Sequence, residues 1–194
     1  MTFQDIFKSS FLENVNSVSI LDMVLAMALA FGLGLFIFLI YKKTFAGVSL
    51  VYTDDDYESF ANIFDNAKTD ITDADRDRLI DALETLNQGS DPAAAVDVDQ
   101  VIRYFVVHNF VLNFDSYTGS MIHNYYLYEA DGVLSMIPWD YNLAFGGFQG
   151  AQDAAALVNY PIDTPVSGGS VESRPMLAWI FASEEYTALY HQYF

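Results

Sequence analysis

The sequence predicts an α+β domain, built of helices and one β-hairpin, that follows a single membrane-spanning helix. Three observations lead to this fold class. Residues 23–41 contain no charged side chain, apolar residues recur with helical spacing on both sides of the chain's centre, and two β-prone runs near the centre flank an Asp-Gly pair. The chain therefore combines a membrane segment with a domain of mixed helical and sheet structure.

The uncharged segment is long enough to be a transmembrane helix. At about 1.5 Å per residue, residues 23–41 nearly span a hydrocarbon core of about 30 Å. The acids that precede it and the lysine pair that follows it argue against a cleaved signal peptide and favour an uncleaved, single-pass anchor. Lys42 and Lys43 place the following domain in the cytoplasm by the positive-inside rule, although Lys8 opposes this orientation. Residues 1–22 are amphipathic, which predicts a segment that lies on the membrane surface.

The rest of the chain divides into a linker, residues 42–53, and one acidic domain, residues 54–194. Residues 1–44 carry three bases and three acids, so the whole formal net charge of −18 lies beyond them. Such a surface repels nucleic acid and suits either simple solubility or the binding of cations or a basic partner. The chain has no cysteine, which excludes disulfides, zinc-thiolate sites and thiol catalysis, and its three histidines are too scattered for a histidine metal cage.

An acidic segment near residue 75 matches two patterns. Five acids fall on ligand positions of a calcium-binding EF-hand loop, namely Asp73, Asp75, Asp77, Asp81 and Glu84. The competing interpretation is a helix with Thr72 as its N-cap, acids in its first turn and one apolar face, formed by Leu79, Ile80, Leu83 and Leu86. Because Arg78 stands where the EF-hand loop requires glycine, the helix is favoured.

A second helix is predicted from Val98 to Asn113. The run VIRYFVVHNFVLNF within it is apolar nearly all round, which predicts that the helix is buried in the domain core. His108 is interpreted as a hydrogen-bonded core histidine, and the alternative is a ligand. The helix leads directly to Asp115.

The central stretch, residues 114–147, is predicted to contain a β-hairpin with an aspartate at each end. The runs YYLY and VLSMI flank an Asp-Gly pair, which is a short-range hairpin signal. Asn124 precedes the first strand, and Asp140 follows the second. Pro138 is expected to end the second strand, because proline has no amide hydrogen to donate to the sheet. A hairpin makes its two ends neighbours, so these polar groups can converge on one site. The alternative is that Asp140 and Asn142 form an ordinary Asx turn.

The C-terminal part is predicted to be irregular and then helical. Residues 146–173 are rich in Gly, Ala, Ser and Pro, and irregular segments of this length are usually functional or mobile. Two helices follow, over residues 175–182 and from Ser183 to the end, with Ser183 as the cap of the second.

The order of these elements is that of a protein kinase C-lobe. In such a lobe one aspartate orients the substrate hydroxyl or accepts its proton, while an asparagine and a second aspartate hold magnesium, which prefers hard oxygen ligands. The sequence departs from the kinase signature in three ways. It has no His-Arg-Asp and no Asp-Phe-Gly, and eight residues rather than four separate Asp115 from Asn124.

Two stretches, NFDSYTGSMIHNYYLY and IPWDYNLAFGG, resemble the CotH family of spore-coat and related bacterial proteins. Members of this family are atypical protein kinases. The similarity extends over residues 52–194. The resemblance implies a kinase-like fold and ATP- and magnesium-dependent phosphorylation of serine on a protein substrate. It implies that Asp115 is the catalytic aspartate and that Asp140 binds metal. Asn124 is expected to contact metal or phosphate. Asn142, where many members have a second aspartate, is a possible secondary contact.

Residues 1–48 resemble instead the first membrane segment of an uncharacterised multi-span bacterial family. They stand where the family carries the strands and the lysine that hold the nucleotide. The resulting expectation is a membrane-tethered, incomplete kinase-like C-lobe. Two alternatives to an active kinase are a catalytically inactive scaffold in coat or envelope assembly and a nonfunctional gene fusion.

Overall fold

The computed structural model describes residues 48–89, 91–148 and 153–194. The predicted surface segment, the transmembrane helix and the first part of the linker lie outside these ranges, so the membrane anchor and its orientation stay predictions. Within the described ranges, no helix has the length and the apolar character needed to cross a membrane.

The described residues form an α+β structure, as predicted, with six α-helices and one two-stranded antiparallel sheet. In chain order these elements are α1 (Ala61–Phe64), α2 (Asp73–Asn87), α3 (Val98–Phe110), β1 (Tyr125–Ala130), β2 (Val133–Pro138), α4 (Ala154–Val158), α5 (Pro175–Ala182) and α6 (Glu184–Tyr193). Short 3-10 turns lie at Tyr57–Phe60, Pro92–Ala94 and Val171–Ser173.

Helix α2 begins where the capping signals predict. The Thr72 hydroxyl accepts a hydrogen bond from the Asp75 amide at 3.3 Å, and the Asp75 carboxylate accepts one from the Thr72 amide at 2.6 Å. This reciprocal pair is a capping box. The predicted apolar face is buried, and Arg78 reaches Glu129 in β1 at 2.8 Å, which ties the helix to the hairpin. The EF-hand alternative is wrong, because its acidic positions belong to one continuous helix.

Helix α3 runs through the core toward the central stretch. Asp97 caps its first turn, and Phe105 is fully buried. The helix ends at Phe110, before the predicted end, because the backbone turns left-handed at Leu112 with φ of 49°. The helix packs in the core as predicted, but its C-terminal end reaches the surface, where Val107 and Phe110 are 54% and 65% exposed.

The predicted hairpin is confirmed, with β1 and β2 joined by a two-residue turn. Asp131 and Gly132 have φ of 52° and 85°, the positive values that a type I′ turn requires. The outer edge of β2 is paired as well. Leu134 exchanges backbone hydrogen bonds with the segment before α3, and the Gln100 side chain bonds both the amide and the carbonyl of Met136.

The hydrophobic core lies between α2, α3, α5, α6 and the inner face of the hairpin. Its largest fully buried side chains are Leu50, Phe60, Leu83, Ile102, Phe105, Tyr117, Leu134, Met136, Met176, Leu177, Ile180 and Tyr190. The two predicted C-terminal helices are present, and Ser183 caps α6 as expected. Elements from both ends of the described chain therefore enclose the central stretch and fix the loops that leave α3 and β2.

Candidate active site

Two loops carry the residues singled out by the sequence. The Asp115 loop, residues 111–124, leads from α3 to β1, and the Asp140 loop, residues 139–148, leaves β2. The Asp115 loop folds tightly on itself. A Cβ atom added to Gly119 would lie 2.0 Å from the carbonyl oxygen of Phe114, which is far inside van der Waals contact. Only glycine allows the loop this closure.

The C-terminal part of the chain clamps the Asp115 loop from behind. Arg174 is 2% exposed, and its guanidinium donates hydrogen bonds to the carbonyls of Tyr117 at 2.9 Å and Gly119 at 3.1 Å. The amide of Ser167 donates to the carbonyl of Thr118 at 2.9 Å. Three consecutive carbonyls of the loop are thus held by a segment about 50 residues away in sequence, so the loop is fixed by tertiary contacts.

Asp115 lies inside this loop with both carboxylate oxygens occupied. His123 Nε2 lies 2.5 Å from Oδ1, and Asn124 Nδ2 donates to Oδ2 at 3.0 Å. The same Asn124 nitrogen also donates to the Asp115 backbone carbonyl at 2.9 Å. Both hydrogens of the Asn124 side-chain nitrogen are therefore engaged in hydrogen bonds. The side-chain oxygen of Asn124 is the atom that can contact a cation or a phosphate-bound ion. Asp115 and Asn124 are therefore brought together as one unit.

Backbone strain is concentrated around this unit. Ile122, Asn124 and Asp140 have left-handed backbone, with φ of 51°, 57° and 53°. Asparagine and aspartate tolerate this conformation, whereas for a β-branched residue such as Ile122 it is a genuine outlier. Strain of this kind costs on the order of 1–3 kcal/mol per residue and persists where the surrounding structure imposes it, commonly at functional sites.

The Asp140 loop is more open. Asp140 and Asn142 are both exposed, directly beyond the end of β2. The ladder ends at the pair of Tyr125 and Pro138, so Asn124 directly precedes this end of the hairpin and Trp139 and Asp140 directly follow it. Asp140 therefore lies at the same end of the hairpin as Asn124.

Both loops meet at the C-terminal end of α3. The Asp140 loop donates hydrogen bonds to the carbonyls of the two residues that follow α3 and open the Asp115 loop. The amide of Phe145 donates to the carbonyl of Val111 at 2.5 Å, and that of Gly146 donates to Leu112 at 3.1 Å. The Tyr141 hydroxyl lies 3.0 Å from His108 Nδ1 in the same region. This confirms His108 as a hydrogen-bonded core histidine.

The structure brings together only some of the predicted site residues. Asp115 and Asn124 are in contact, but no hydrogen bond or ion pair within the described ranges joins Asp140 or Asn142 to them. Nor do the described residues contain a group of three or more His, Asp or Glu side chains placed to hold a metal ion. A cation at this site would therefore draw on Asn124 and exposed carboxylates, and it would need further oxygen ligands from a bound phosphate or water.

The electrostatics of the site favour a positive charge. The C-terminal end of a helix carries a partial negative charge, and α3 directs that end toward the loops that bear Asp115 and Asp140. The nearby ring nitrogen of His108 does not offset this charge, because burial lowers the pKa of His108 to about 4 and keeps it neutral. Carboxylate and amide oxygens are the ligands that Mg²⁺ prefers, so the donor set fits that ion.

Three functional positions were missed by the sequence reasoning. His123 bonds Asp115, Arg174 clamps the loop and Gly119 closes it. For His123 a signal was present, since it directly precedes Asn124 within the motif that was singled out. Arg174 had no such signal, because only the folded chain brings it to residues more than 50 positions earlier.

A comparison with known protein families supports a relationship over most of the chain. The family model described as CotH kinase protein matches residues 38–194, which include every site residue named above. No curated protein and no solved structure gives a significant match.

Proposed function

The chain belongs to the CotH kinase protein family, and from this premise we propose that it transfers the γ-phosphoryl group of ATP, with Mg²⁺, to a serine hydroxyl on a protein. The observation that carries the proposal is the Asn124 side chain. Its nitrogen bonds both the carboxylate and the carbonyl of Asp115, which leaves its oxygen for a cation beside the catalytic carboxylate.

In this proposal each site residue has a defined role, and Asn124 has two. Asp115 orients the serine hydroxyl and takes its proton as the new O–P bond forms, while the bond to the bridging oxygen breaks and ADP leaves. His123 and Asn124 hold the Asp115 carboxylate in place. Asn124 and the exposed Asp140 supply oxygen ligands for Mg²⁺, and Asn142 is a secondary, uncharged contact. Bound Mg²⁺ neutralises charge on the phosphates during transfer.

The test is transfer of radiolabel from ATP to protein, measured with and without Mg²⁺. We expect Asp140→Asn to lower transfer by at least about 100-fold, because it removes a charged metal ligand. The chain offers a matched control in Asp131→Asn, since Asp131 is also exposed and also has left-handed backbone, with φ of 52° against 53°. Equal activity of the two variants, or no transfer by the purified wild-type protein, would contradict the proposal.

The substrate and the location are part of the same proposal. The strongly acidic domain favours a protein substrate with basic residues near the acceptor serine and disfavours nucleic acid. We place the domain on the cytoplasmic side of a membrane, tethered by residues 23–41. Deletion of residues 1–44 is expected to move the protein from the membrane pellet to the supernatant, and an unchanged distribution would contradict the anchor.

Binding without transfer is the second candidate. It is favoured by the basic side chains, which would have to leave their contacts with the protein in order to bind the phosphates of a nucleotide. In the described part of the chain these side chains contact protein groups: Lys68 the Tyr126 ring, Arg76 Asp73, Arg78 Glu129, Arg103 Asp99, and Arg174 backbone carbonyls. A scaffold role in coat or envelope assembly follows if the folded protein shows no thermal shift with ATP and Mg²⁺ yet still recruits a partner. An ATP-dependent shift that Asp140→Asn removes would instead favour the kinase.

A further inference from the structure

We propose that His108 is a positioning residue that couples the Asp140 loop to the Asp115 loop through a buried hydrogen-bond path, and that one water molecule adds a second link between His108 and Asn113. The inference rests on the proposed function, in which both loops must hold one cation and one nucleotide. It assigns His108 no contact with substrate.

The path consists of three hydrogen bonds. The Tyr141 hydroxyl, next to Asp140, lies 3.0 Å from His108 Nδ1. The His108 carbonyl accepts from the Asn113 amide at 3.3 Å, and the Asn113 side-chain oxygen accepts from the Asp115 amide at 3.2 Å. Through this path, the residue after one aspartate is linked to the backbone of the other.

The His108 ring is held rigidly enough to transmit position. The side chain is fully buried, and its ring stacks on Tyr104 with centroids 5.1 Å apart and planes at 17°. The Tyr141 ring meets it edge-on at 5.5 Å. Since a neutral imidazole has one donor and one acceptor, one ring nitrogen serves Tyr141 and the other is left for a second partner.

That second partner is a water molecule. His108 Nε2 and Asn113 Nδ2 are both buried, and neither has a hydrogen-bond partner among the described residues. Both residues line one cavity of about 10 Å³, together with Thr118 and Tyr160. A cavity of roughly that size holds one water. Water can donate to one nitrogen or accept from both, so it satisfies either tautomer of His108.

The backbone bonds from Phe145 to Val111 and from Gly146 to Leu112 do not involve the His108 side chain. Substitutions that break the path should therefore keep these two backbone bonds of the Asp140 loop. The position of Asp140 should nevertheless be less well fixed. The expected signature is weaker cation binding without global unfolding.

The test compares the Mg²⁺ affinity of the wild-type protein with that of its variants. The affinity is measured by calorimetry in the presence of a non-hydrolysable ATP analogue. Tyr141→Phe and His108→Leu are expected to weaken Mg²⁺ binding about tenfold, with a smaller effect on kcat at saturating Mg²⁺. His108→Asn, whose amide can replace Nδ1, is expected to retain near wild-type affinity. Tyr126→Phe is the matched control, because its ring packs on Trp139 of the same loop at 5.3 Å but its hydroxyl is outside the path.

A double-mutant cycle on unfolding gives a readout that needs neither activity nor metal. His108→Leu and Tyr141→Phe remove the same hydrogen bond. The free energy of unfolding of the double variant should therefore be close to that of the less stable single variant. Additive losses, or Mg²⁺ affinity in Tyr141→Phe equal to that in Tyr126→Phe, would overturn the coupling. If the wild-type protein binds Mg²⁺ but transfers no phosphate, the proposed function fails and the coupling is still decided by these two measurements.

Discussion

The two loops of the candidate site differ in how they are held. The Asp115 loop is buried, closed on itself at Gly119 and clamped by Arg174, and Asp115 is only 8% exposed. The Asp140 loop is open to solvent, with Phe145 76% exposed, and is attached mainly by two backbone hydrogen bonds. The difference suggests a division of labour. In the proposed function, the buried loop would hold Asp115 in a fixed geometry and the exposed loop would supply a ligand to the cation.

Gly119→Ala should have the largest effect, and it acts on the buried loop. The added Cβ would overlap the Phe114 carbonyl at 2.0 Å, so the loop must open. We expect a loss of about 4 kcal/mol in the free energy of unfolding, measured by urea denaturation. Gly89→Ala is the control, because it meets no atom within 4 Å and adds only the roughly 1–2 kcal/mol cost of a left-handed alanine. Similar losses in the two variants would mean that the Asp115 loop is not tightly closed.

Arg174→Ala should have the next largest effect. It leaves two buried carbonyls of the Asp115 loop without their donor, at about 1–3 kcal/mol each, so we expect a loss of about 3 kcal/mol. Arg103→Ala removes an exposed arginine with an i,i+4 partner and should cost much less. Thermal unfolding of both variants measures the difference. Equal melting temperatures would show that the clamp contributes little.

The pH dependence of stability tests the junction between the loops. Burial lowers the pKa of His108 in the folded state to about 4 from its ordinary value of 6.5, so its contribution to stability is complete above pH 6.5. That contribution is lost as the pH falls from 6.5 toward 4, because the unfolded state binds the proton more tightly. The shift corresponds to about 3 kcal/mol. Denaturation at pH 7 and pH 4.5 should show this loss in the wild type and much less of it in His108→Leu.

The smallest effect should separate the two aspartates directly. Asp140→Asn changes an exposed side chain and should alter stability by less than about 0.5 kcal/mol. Asp115→Asn disturbs the bond to His123 at 2.5 Å and should lower stability by about 1–2 kcal/mol. Both variants are expected to abolish transfer. If Asp140→Asn is as destabilising as Asp115→Asn, the Asp140 loop is not the solvent-exposed half of the site.

The elements that the sequence predicted well have local signals. The N-cap at Thr72 and the hairpin turn at Asp131-Gly132 are decided by a few neighbouring residues, and both are present. The end of α3 was not predictable in the same way. Leu112 turns left-handed, and the carbonyls of Val111 and Leu112 accept hydrogen bonds from the Asp140 loop, more than 30 residues later.

The candidate site was predicted only in part, because some of its contacts also depend on more than the neighbouring residues in sequence. Family motifs pointed to Asp115 and Asn124, which the structure places in contact. The bond from His123 to Asp115 depends on the left-handed turn at Ile122, a conformation that no propensity assigns to isoleucine. The role of Arg174 depends on tertiary packing alone.

The Gln100 side chain has a consequence for self-association. A strand at the edge of a sheet offers unpaired amides and carbonyls to any other extended chain, and a two-stranded sheet has two such edges. Gln100 occupies the amide and the carbonyl of Met136, and backbone beside it occupies Leu134, so this side of the hairpin cannot template a neighbouring strand. Gln100 and the backbone pairing at Leu134 would then together protect one flank of the site from β-sheet polymerisation.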